Sequence, residues 1–490
     1  MRCFQKGKKQ WLLGIFLCLL FPFVTYAEET ITKNSTGQKS SYPHSKKPLP
    51  VQKISSEEAK KKEEVFAPVK SALDVVGNHP EGLDLQECFQ ITATRSDTLQ
   101  ITKESIEAAK ARLVQSVAEI FPTFNLVQSQ IFRDTGQAFG NNFGNQNFNQ
   151  NNSTSSTQIT VSQPIFNGFS NYNKIGAAQA GIEVQRYNLE RAYQTLYQDV
   201  AQAFYQILSN EGDLLILGDS VKALEARAQE LGERVRIGRS RPSDLLQSEA
   251  DLASARVTIE ETKGLLAAAR ELMAFYLGIP AEKIKLRETQ TFPRANIFEK
   301  YLQVTGTRPD ILALVQSERM ARRNLSVSKG ALFPALTVNG TYTVASDPII
   351  QQNWMVTLQV QLPLFDGGLI LSRIREQKAL VRQSEFNLDN LRRTADQDIR
   401  TSFVNFNASA AQVVRIQEEV ELAMQNYNAQ VDDYKKGIVT NLNVLTALNN
   451  LQAARRKLNT ADLNARLNLI KLHVAAGLAA TSQKPQTSSP

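Results

Sequence analysis

The feature that most constrains this 490-residue chain is a long internal duplication. An offset of 199 residues carries QPIFNG onto LPLFDG, and therefore Pro164 onto Pro363 and Gly168 onto Gly367. The same offset relates Gly238 to Gly437, Leu246 to Leu445, Leu252 to Leu451 and Gly278 to Gly477. Since a repeated sequence specifies a repeated structure, the chain is predicted to fold as two copies of one supersecondary unit.

The two halves differ in length at one place. Upstream of the matched segments, EIFPTF at 119–124 matches ALFPAL at 331–336 with an offset of 212. The first half therefore holds 13 additional residues, which fall in the Asn- and Gly-rich stretch 134–157. This composition predicts a long polar loop between two strands.

Each half is predicted to contain a helix, two strands, a long helix and a second helix, over residues 81–280 and 281–478. Pro122 and Pro334 force the residue before them out of the α region, so a helix ends and a strand begins there. After the second strand, a run with scarcely a helix breaker would measure about 100 Å as a helix. The strands are expected at about 124–133, 157–165, 336–345 and 354–364, and the other junctions at Pro164, Pro363, Gly168 and Gly367. The predicted fold class is mainly α with a small β part.

The strands of the second half are predicted to be amphipathic. Apolar residues alternate with Thr, Asn and Gln, so one face is apolar and the other is polar and uncharged. The first hairpin repeats the pattern more weakly, through Ile159, Val161 and Ile165. Lipid contact is predicted for Val338, Tyr342, Trp354, Val356, Leu358 and Val360. A soluble sheet with one face on a core is the ordinary alternative.

Membrane insertion would have to use these strands. Beyond the first residues, no apolar run approaches the about 20 residues of a membrane-spanning helix. Two hairpins supply four strands, whereas the smallest membrane barrels need about eight. A channel made from this chain would therefore have to be shared among several copies.

The N-terminus has the features of an export signal. Four basic residues precede an apolar stretch at 11–24, and cleavage is expected after Ala27. Cys18 lies inside the apolar stretch rather than at the cleavage site, which disfavours a lipid anchor. Residues 1–27 are therefore predicted to be a signal peptide. The polar segments 28–80 and 479–490 hold too little apolar surface to fold alone and are predicted to be disordered.

Composition argues against several classes of function. The formal charge is +8, but the leader holds four basic residues, and residues 28–70 hold nine Lys and six Glu. The remaining body is nearly neutral, so nucleic-acid binding is not supported. Cys88 would be the only cysteine after cleavage, and its apolar neighbours favour a buried structural thiol. With His44, His79 and His473 as the only histidines, and no phosphate-binding loop or nucleophile elbow, no enzyme, cofactor or metal site is expected.

Several motifs resemble those of the TolC-like outer-membrane efflux protein family. They are RPDIL at 308–312, LFPAL at 332–336, QLPLFDGG at 361–368 and YKKGIVTNLNVLTALNNLQAAR at 434–455, with RVRIGRSRPSDLLQSEADLASAR at 234–256 as first-half counterpart. Their order and duplication make the resemblance far more specific than any single motif. It covers roughly residues 83–478, nearly the whole predicted mature body.

The resemblance implies a homotrimer in contact with outer-membrane lipid. Three copies would each give four strands to a shared transmembrane β-barrel and their helices to a periplasmic α-barrel. An inner-membrane transporter, joined through a periplasmic adaptor, would supply the energy, so the chain would be a passive exit duct. Such ducts serve small-molecule efflux or type I protein secretion, and the inner-membrane partners largely select the cargo.

The resemblance also implies that the two helical tips form the periplasmic entrance, the gate and the adaptor-docking surface. The residues carried over are Gly238, Arg239, Arg241, Asp244, Leu246, Gly437, Asn443, Leu445 and Thr446. In the family, Asp is common before the Val-Leu pair, but this chain has Asn443 there, and Thr446 follows. A strong acidic ring is therefore in doubt, and Arg239 and Arg241 either pair with Asp244 or remain solvated.

A soluble periplasmic coiled-coil adaptor or scaffold is the alternative interpretation. Such a protein would share the long helices and the neutral body. It would have no use for two amphipathic hairpins or for a long Asn-rich loop. A soluble scaffold would also leave the membrane fraction without detergent, which distinguishes the two interpretations.

Overall fold

A computed structural model describes residues 82–132, 153–289, 295, 297–347 and 353–478. The predicted signal peptide, the 28–80 segment, most of the 134–157 loop and the 479–490 tail lie outside these residues. Across the described ranges, no helix is both long enough and apolar enough to span a membrane.

Within the described residues, the first half contains four α-helices and two strands. They are α1 (Leu85–Arg95), α2 (Asp97–Ala118), β1 (Thr123–Phe132), β2 (Ser153–Asn167), α3 (Ser170–Arg236) and α4 (Pro242–Leu277). α1 begins with a reciprocal capping box, in which the Glu87 amide donates to the Asp84 carboxylate and the Asp84 amide donates to the Glu87 carboxylate. This pair satisfies two amides that the helix itself cannot.

The second half repeats the same order. Its elements are α5 (Phe298–Gln303), α6 (Pro309–Gly330), β3 (Ala335–Asp347), β4 (Trp354–Gln361), α7 (Leu369–Lys435) and α8 (Asn441–Ala475). α3 and α7 are each 67 residues long, which corresponds to about 100 Å at 1.5 Å per residue. The predicted fold class, mainly α with a small β part in two tandem repeats, is confirmed.

The four strands form one antiparallel sheet in the order β1-β2-β3-β4. β2 and β3 pair with each other, so the sheet joins the two halves. Register shifts occur in this central pair between Thr157 and Gln158 and between Pro164 and Phe166. Pro164 has no amide hydrogen for the ladder, and a bulge is one of the few places where an inner strand tolerates proline.

Two strand ends differ by three or more residues from the predicted positions, whereas the other ends agree to within two residues. β2 begins at Ser153 rather than near residue 157, because the Ser and Thr run pairs with β1. The hydroxyls of Ser129 and Ser156 lie 2.9 Å apart across this pair. β4 ends at Gln361 rather than near residue 364, because Pro363 cannot donate a ladder hydrogen bond.

The helices form a layer with α3 in its centre. Toward the sheet, α3 packs between α2 and α6, and α6 also packs against α7. Toward the opposite end, α3 packs between α4 and α8, and α8 also packs against α7. α2 and α4 therefore lie at one edge of the layer, and α7 lies at the other.

The largest hydrophobic core lies where α1 packs against α3 and α4. Cys88, Phe89, Phe204, Ile207 and Met273 are almost completely buried there. Burying each large side chain contributes about 1.5–3 kcal/mol. Burial raises the pKa of the Cys88 thiol, which suits an unreactive packing role.

His473 lies against Tyr301 of a second core, which forms between α5, α7 and α8. Its Nε2 lies 3.4 Å from the hydroxyl of Tyr301, and burial lowers the pKa of the imidazole. Among the residues described, no His, Cys, Asp and Glu cluster could hold a metal ion. The rings of His473 and Tyr301 pack with their centres 6.0 Å apart.

The RPDIL motif links the C-terminus of α8 to the rest of the layer. Arg308 is almost completely buried; one of its nitrogens donates to the Ala475 carbonyl at 2.9 Å and another pairs with Asp310 at 2.7 Å. Arg191 of α3 donates to the Val474 carbonyl, also at 2.9 Å. The two guanidinium groups bind carbonyls in the last turn of the helix and lie at the negative end of its dipole.

Candidate functional site

Both long helices end in the same turn at the tips of the layer. Gly238 has φ +75° and Gly437 has φ +78°, a conformation that favours glycine. In the first tip, the Arg239 amide donates to the Arg234 carbonyl at 2.7 Å. In the second tip, the Ile438 amide donates to the Asp433 carbonyl at 2.9 Å. These bonds are typical of Schellman motifs, which explains the glycines that the duplication preserves.

Asp244 and Asn443 occupy the same position in the first turn of α4 and α8. Asn443 completes a capping box with Thr440, whose amide lies 3.3 Å from the Asn443 side-chain oxygen. Asp244 accepts a hydrogen bond from the Ser240 hydroxyl at 3.3 Å. The amide of Asn443 thus keeps the capping function at the second tip but brings no charge.

Four side chains, Arg227, Glu230, Tyr434 and Asn441, connect the two tips, and we call them the tip clasp. Nε of Arg227 donates to the Asn441 side chain at 2.8 Å, and its guanidinium lies 3.7 Å from the centre of the Tyr434 ring. Asn441 also donates to the Asp244 carbonyl at 3.3 Å. Glu230 pairs with Arg227 at 2.7 Å. A desolvated cation over an aromatic ring contributes on the order of 1–2 kcal/mol.

The matched leucines of the two tips have different environments. Leu445 is 1% exposed and packs with Leu224 and Leu448, whereas Leu246 is 64% exposed. α8 lies between α3 and α7, but α4 lies at an edge of the layer, so only the second leucine has neighbours on both sides.

The predicted tip cations do not pair with the tip carboxylate. Within the described part of the chain, neither Arg239 nor Arg241 makes an ion pair, and both are exposed. Thr446 donates to the Leu442 carbonyl at 2.8 Å, which is a local helix contact. Of the two interpretations of these arginines, the structure therefore agrees with solvated turn charges.

The residues expected to face lipid all lie on one face of the sheet. Tyr342 is opposite Trp354, and Val338 is opposite Leu358. Val356 is opposite Gly340, and Val360 is opposite Leu336. Directly opposite residues share a face of a sheet. β1 and β2 continue the apolar face through Phe124, Leu126, Ile159 and Val161, but Gln128 and Gln163 interrupt it.

The opposite face is mostly polar. It carries Thr337 beside Gln359 and Asn339 beside Thr357, and the Ser162 hydroxyl donates to Asn339 at 2.8 Å. Asp347, at the end of β3, is the only charged residue in the four strands. β1 and β4 each have one neighbour in the sheet, so both outer edges lack a partner strand within the described chain.

The predicted junction residues mark where strands meet helices. Pro122 and Pro334 each stand directly before the first residue of a strand. Gly168 has φ +65° and Gly367 has φ +66°, but a Cβ on Gly168 would overlap the Gly330 carbonyl, whereas one on Gly367 would meet nothing within 4 Å. Amide donation from Ile370, at 2.7 Å, lowers the pKa of Asp366 beside Gly367.

Both edges of the helical layer expose apolar stripes. On each edge helix the exposed residues recur on one side at helical spacing and lie away from the side that is buried within the chain. Beyond the tip, the stripe of α4 comprises Val257, Leu265, Leu272 and Phe275. The stripe of α7 comprises Phe386, Val404, Val414 and Leu422.

Comparison with known sequences gives matches over most of the chain. The family model described as Outer membrane efflux protein matches residues 90–278 and 301–478. The outer membrane efflux protein BepC of Brucella suis biovar 1 (strain 1330) is 25% identical over 321 residues, which cover 63% of this chain and 69% of BepC. The outer membrane protein TolC of Escherichia coli (strain K12) is 21% identical over 421 residues, which cover 80% of this chain and 82% of TolC.

Solved structures show the same fold. The outer membrane protein VceC of Vibrio cholerae superimposes with a TM-score of 0.71 at 16% identity, over 80% of this chain and 96% of VceC. The MtrE outer membrane channel of Neisseria gonorrhoeae gives a TM-score of 0.66 at 19% identity, over 82% of this chain and 91% of MtrE. Since the family model matches one long segment in each repeat, and together well over half of the residues, the chain belongs to the outer membrane efflux protein family.

Proposed function

We propose that this chain, after removal of residues 1–27, forms the outer-membrane exit duct of a tripartite efflux or type I secretion system. Three copies form the duct, which conducts passively. An inner-membrane transporter supplies the energy, and a periplasmic adaptor connects the two. BepC is an outer membrane efflux protein and TolC is an outer membrane protein, which supports the class of function.

The observation that carries the proposal is the open four-stranded sheet. Its apolar face is exposed along β4, where no element of the described residues covers Val356, Leu358 and Val360. Along the outer edges of β1 and β4, no other strand in the described part of the chain pairs with the backbone amides and carbonyls. In lipid such groups have to be satisfied by closure, and in water an exposed flat edge invites aggregation. Membrane insertion with strands from further copies removes both costs.

The edges of the helical layer support a ring of copies. Exposed apolar stripes of this length mark interaction surfaces. The α4 stripe and the α7 stripe lie on different surfaces, so a contact between them is head-to-tail and is repeated around a closed ring. The same rotation brings β4 of one copy to β1 of the next, which closes the sheet.

The tips form the periplasmic entrance in this proposal. The tip clasp joins the two helical hairpins within one copy, and the exposed residues of both turns are free to meet an adaptor. Arg239 and Arg241 are exposed, whereas Asn443 and Thr446 are uncharged. An entrance built from three copies is therefore expected to lack a dense ring of carboxylates.

Planar-bilayer recording tests the proposal directly. Purified protein is expected to insert and to conduct ions as a trimer, which mass photometry in detergent checks independently. Robust water-soluble monomers that leave the membrane without detergent and never conduct would contradict it. Such monomers are the expected result for a soluble periplasmic scaffold.

A further inference from the structure

The helix ends next to the sheet differ in charge between the two halves. In the first half, residues 107–119 and 170–186 hold four basic and three acidic residues. In the second half, residues 318–330 and 369–385 hold eight basic and three acidic residues. The excess of positive charge is thus confined to the second repeat, although the body of the chain is nearly neutral.

The basic residues of the first half are mostly neutralised. Lys174 pairs with Glu119 at 2.6 Å, Arg186 pairs with Glu183 at 2.6 Å, and Lys110 pairs with Glu107 at 2.7 Å. In the second half, Arg322 pairs with Glu318 and Glu385. The cations there that make no ion pair within the described residues are Arg319, Arg323, Lys329, Arg373, Arg375, Lys378 and Arg382. Of these, Arg323 donates a hydrogen bond to the side-chain oxygen of Asn173 at 3.3 Å.

Four of these cations lie close to the sheet. Lys329 precedes the last residue of α6, and Arg373, Arg375 and Lys378 lie within the first ten residues of α7. We call these four residues the basic collar. Side chains on a helix tilt toward its N-terminus, and the N-terminus of α7 is the end next to the sheet. The three α7 cations therefore extend toward the membrane, and their stems can reach further by snorkelling.

Apolar residues separate the basic collar from the lipid-facing strands. Leu364 is 89% exposed and Phe365 is 92% exposed. Leu371, Arg375 and Lys378 follow each other on one side of α7 at intervals of four and three residues. The order along the molecule is thus lipid-facing strand, exposed apolar and aromatic residues, and then unpaired cations, as expected for a segment that crosses from hydrocarbon into headgroups.

We propose that the basic collar binds the phosphate headgroups of anionic phospholipids in the periplasmic leaflet of the outer membrane. The proposal rests on the membrane insertion proposed above, and it assigns lipid recognition to the second repeat alone. Clusters of Lys and Arg next to a membrane-spanning segment attract anionic lipid with about 1 kcal/mol per cation. Arg319 and Arg382 lie further along their helices from the sheet. Because salt screens electrostatic attraction over about 10 Å, these two cations are attracted more weakly to the headgroups.

The test compares two variants that lose the same charge. Wild-type protein, Arg375→Gln/Lys378→Gln and Arg319→Gln/Arg382→Gln are titrated in detergent with phosphatidylglycerol and, separately, with phosphatidylcholine, and bound lipid is counted by native mass spectrometry. The collar variant is expected to lose about tenfold to thirtyfold in phosphatidylglycerol affinity, which corresponds to two cations. The control variant should change by less than about twofold. Arg375→Lys/Lys378→Arg should bind as the wild type does.

Two results would overturn the proposal. One is equal phosphatidylglycerol binding by both glutamine variants. The other is unchanged lipid binding by the collar variant together with a shifted reversal potential in phosphatidylcholine bilayers, which would place these cations along the conducting path. Failure of every variant to conduct is a different result, since it counts against the channel itself, whereas lipid binding is read in detergent.

Discussion

The two halves of this chain have the same backbone but not the same surroundings. Gly168 and Gly367, Gly238 and Gly437, and Gly278 and Gly477 form pairs with nearly equal positive φ. At the level of side chains the halves diverge, because β1, α2 and α4 lie at one edge while α8 is enclosed by neighbours. A duplicated sequence therefore fixes local conformation twice, but each copy acquires its own packing and charge from its place in the layer.

The largest difference is expected between the matched leucines of the tips. Leu445→Ala should destabilise the second tip by about 2–5 kcal/mol, since it empties a buried site. Leu246→Ala should change the stability of the helical hairpin by no more than about 0.5 kcal/mol. Hydrogen exchange of the α4 and α8 amides measures both effects. If both variants change the protection of these amides against hydrogen exchange equally, the two leucines do not differ in their contribution to stability.

The sheet offers a comparison between its two faces. Val360→Lys should cost about 2–4 kcal/mol near the bilayer midplane, and Val161→Lys, at the matched position of the first half, should behave similarly. Gln359→Lys points to the polar face and should be tolerated. Urea titration of protein folded in lipid vesicles gives the free energies of unfolding. Equal tolerance of Val360→Lys and Gln359→Lys would argue against lipid contact on the apolar face.

A smaller difference is expected at the two junction glycines. Both have positive φ, so alanine should cost about 1–2 kcal/mol at either position. Gly168→Ala should cost about 1–3 kcal/mol more, because its Cβ would overlap the Gly330 carbonyl, whereas the space around Gly367 is open. Thermal unfolding in detergent ranks the two variants. If Gly367→Ala lowers the melting temperature more than Gly168→Ala does, the close approach of Gly168 to the Gly330 carbonyl does not contribute to stability as proposed.

Much of the fold could be predicted from particular residues. The prolines at 122 and 334 locate the starts of β1 and β3, and the breaker-free runs predict the two long helices. The end of β4 was also available in principle, since Pro363 lacks a ladder donor. The start of β2 could not be predicted, because Ser and Thr occur in loops as well as in strands. Only the pairing with β1 identifies this run as part of a strand.

The candidate site was predictable to a lesser degree. Alternation of apolar and polar residues places the lipid-facing side chains on one face, but it says nothing about the tip clasp, which joins residues more than 200 positions apart. Arg227 and Glu230 are three residues apart in α3, a spacing that weakly predicts their ion pair. Tyr434 belongs to the quoted family motif, yet its position under the Arg227 guanidinium depends on how α3 and α7 both pack against α8.

The sequence by itself determined the duplication, the turn glycines, the strand amphipathicity and the membership of a family, because each depends on local conformation or on the order of residues. The tertiary structure decided which copy of each matched residue is buried, which cations stay unpaired, and which edges remain open. These properties depend on distances between elements far apart in the chain. Burial and ion pairing depend on those distances, and a duplicated sequence alone does not determine the distances.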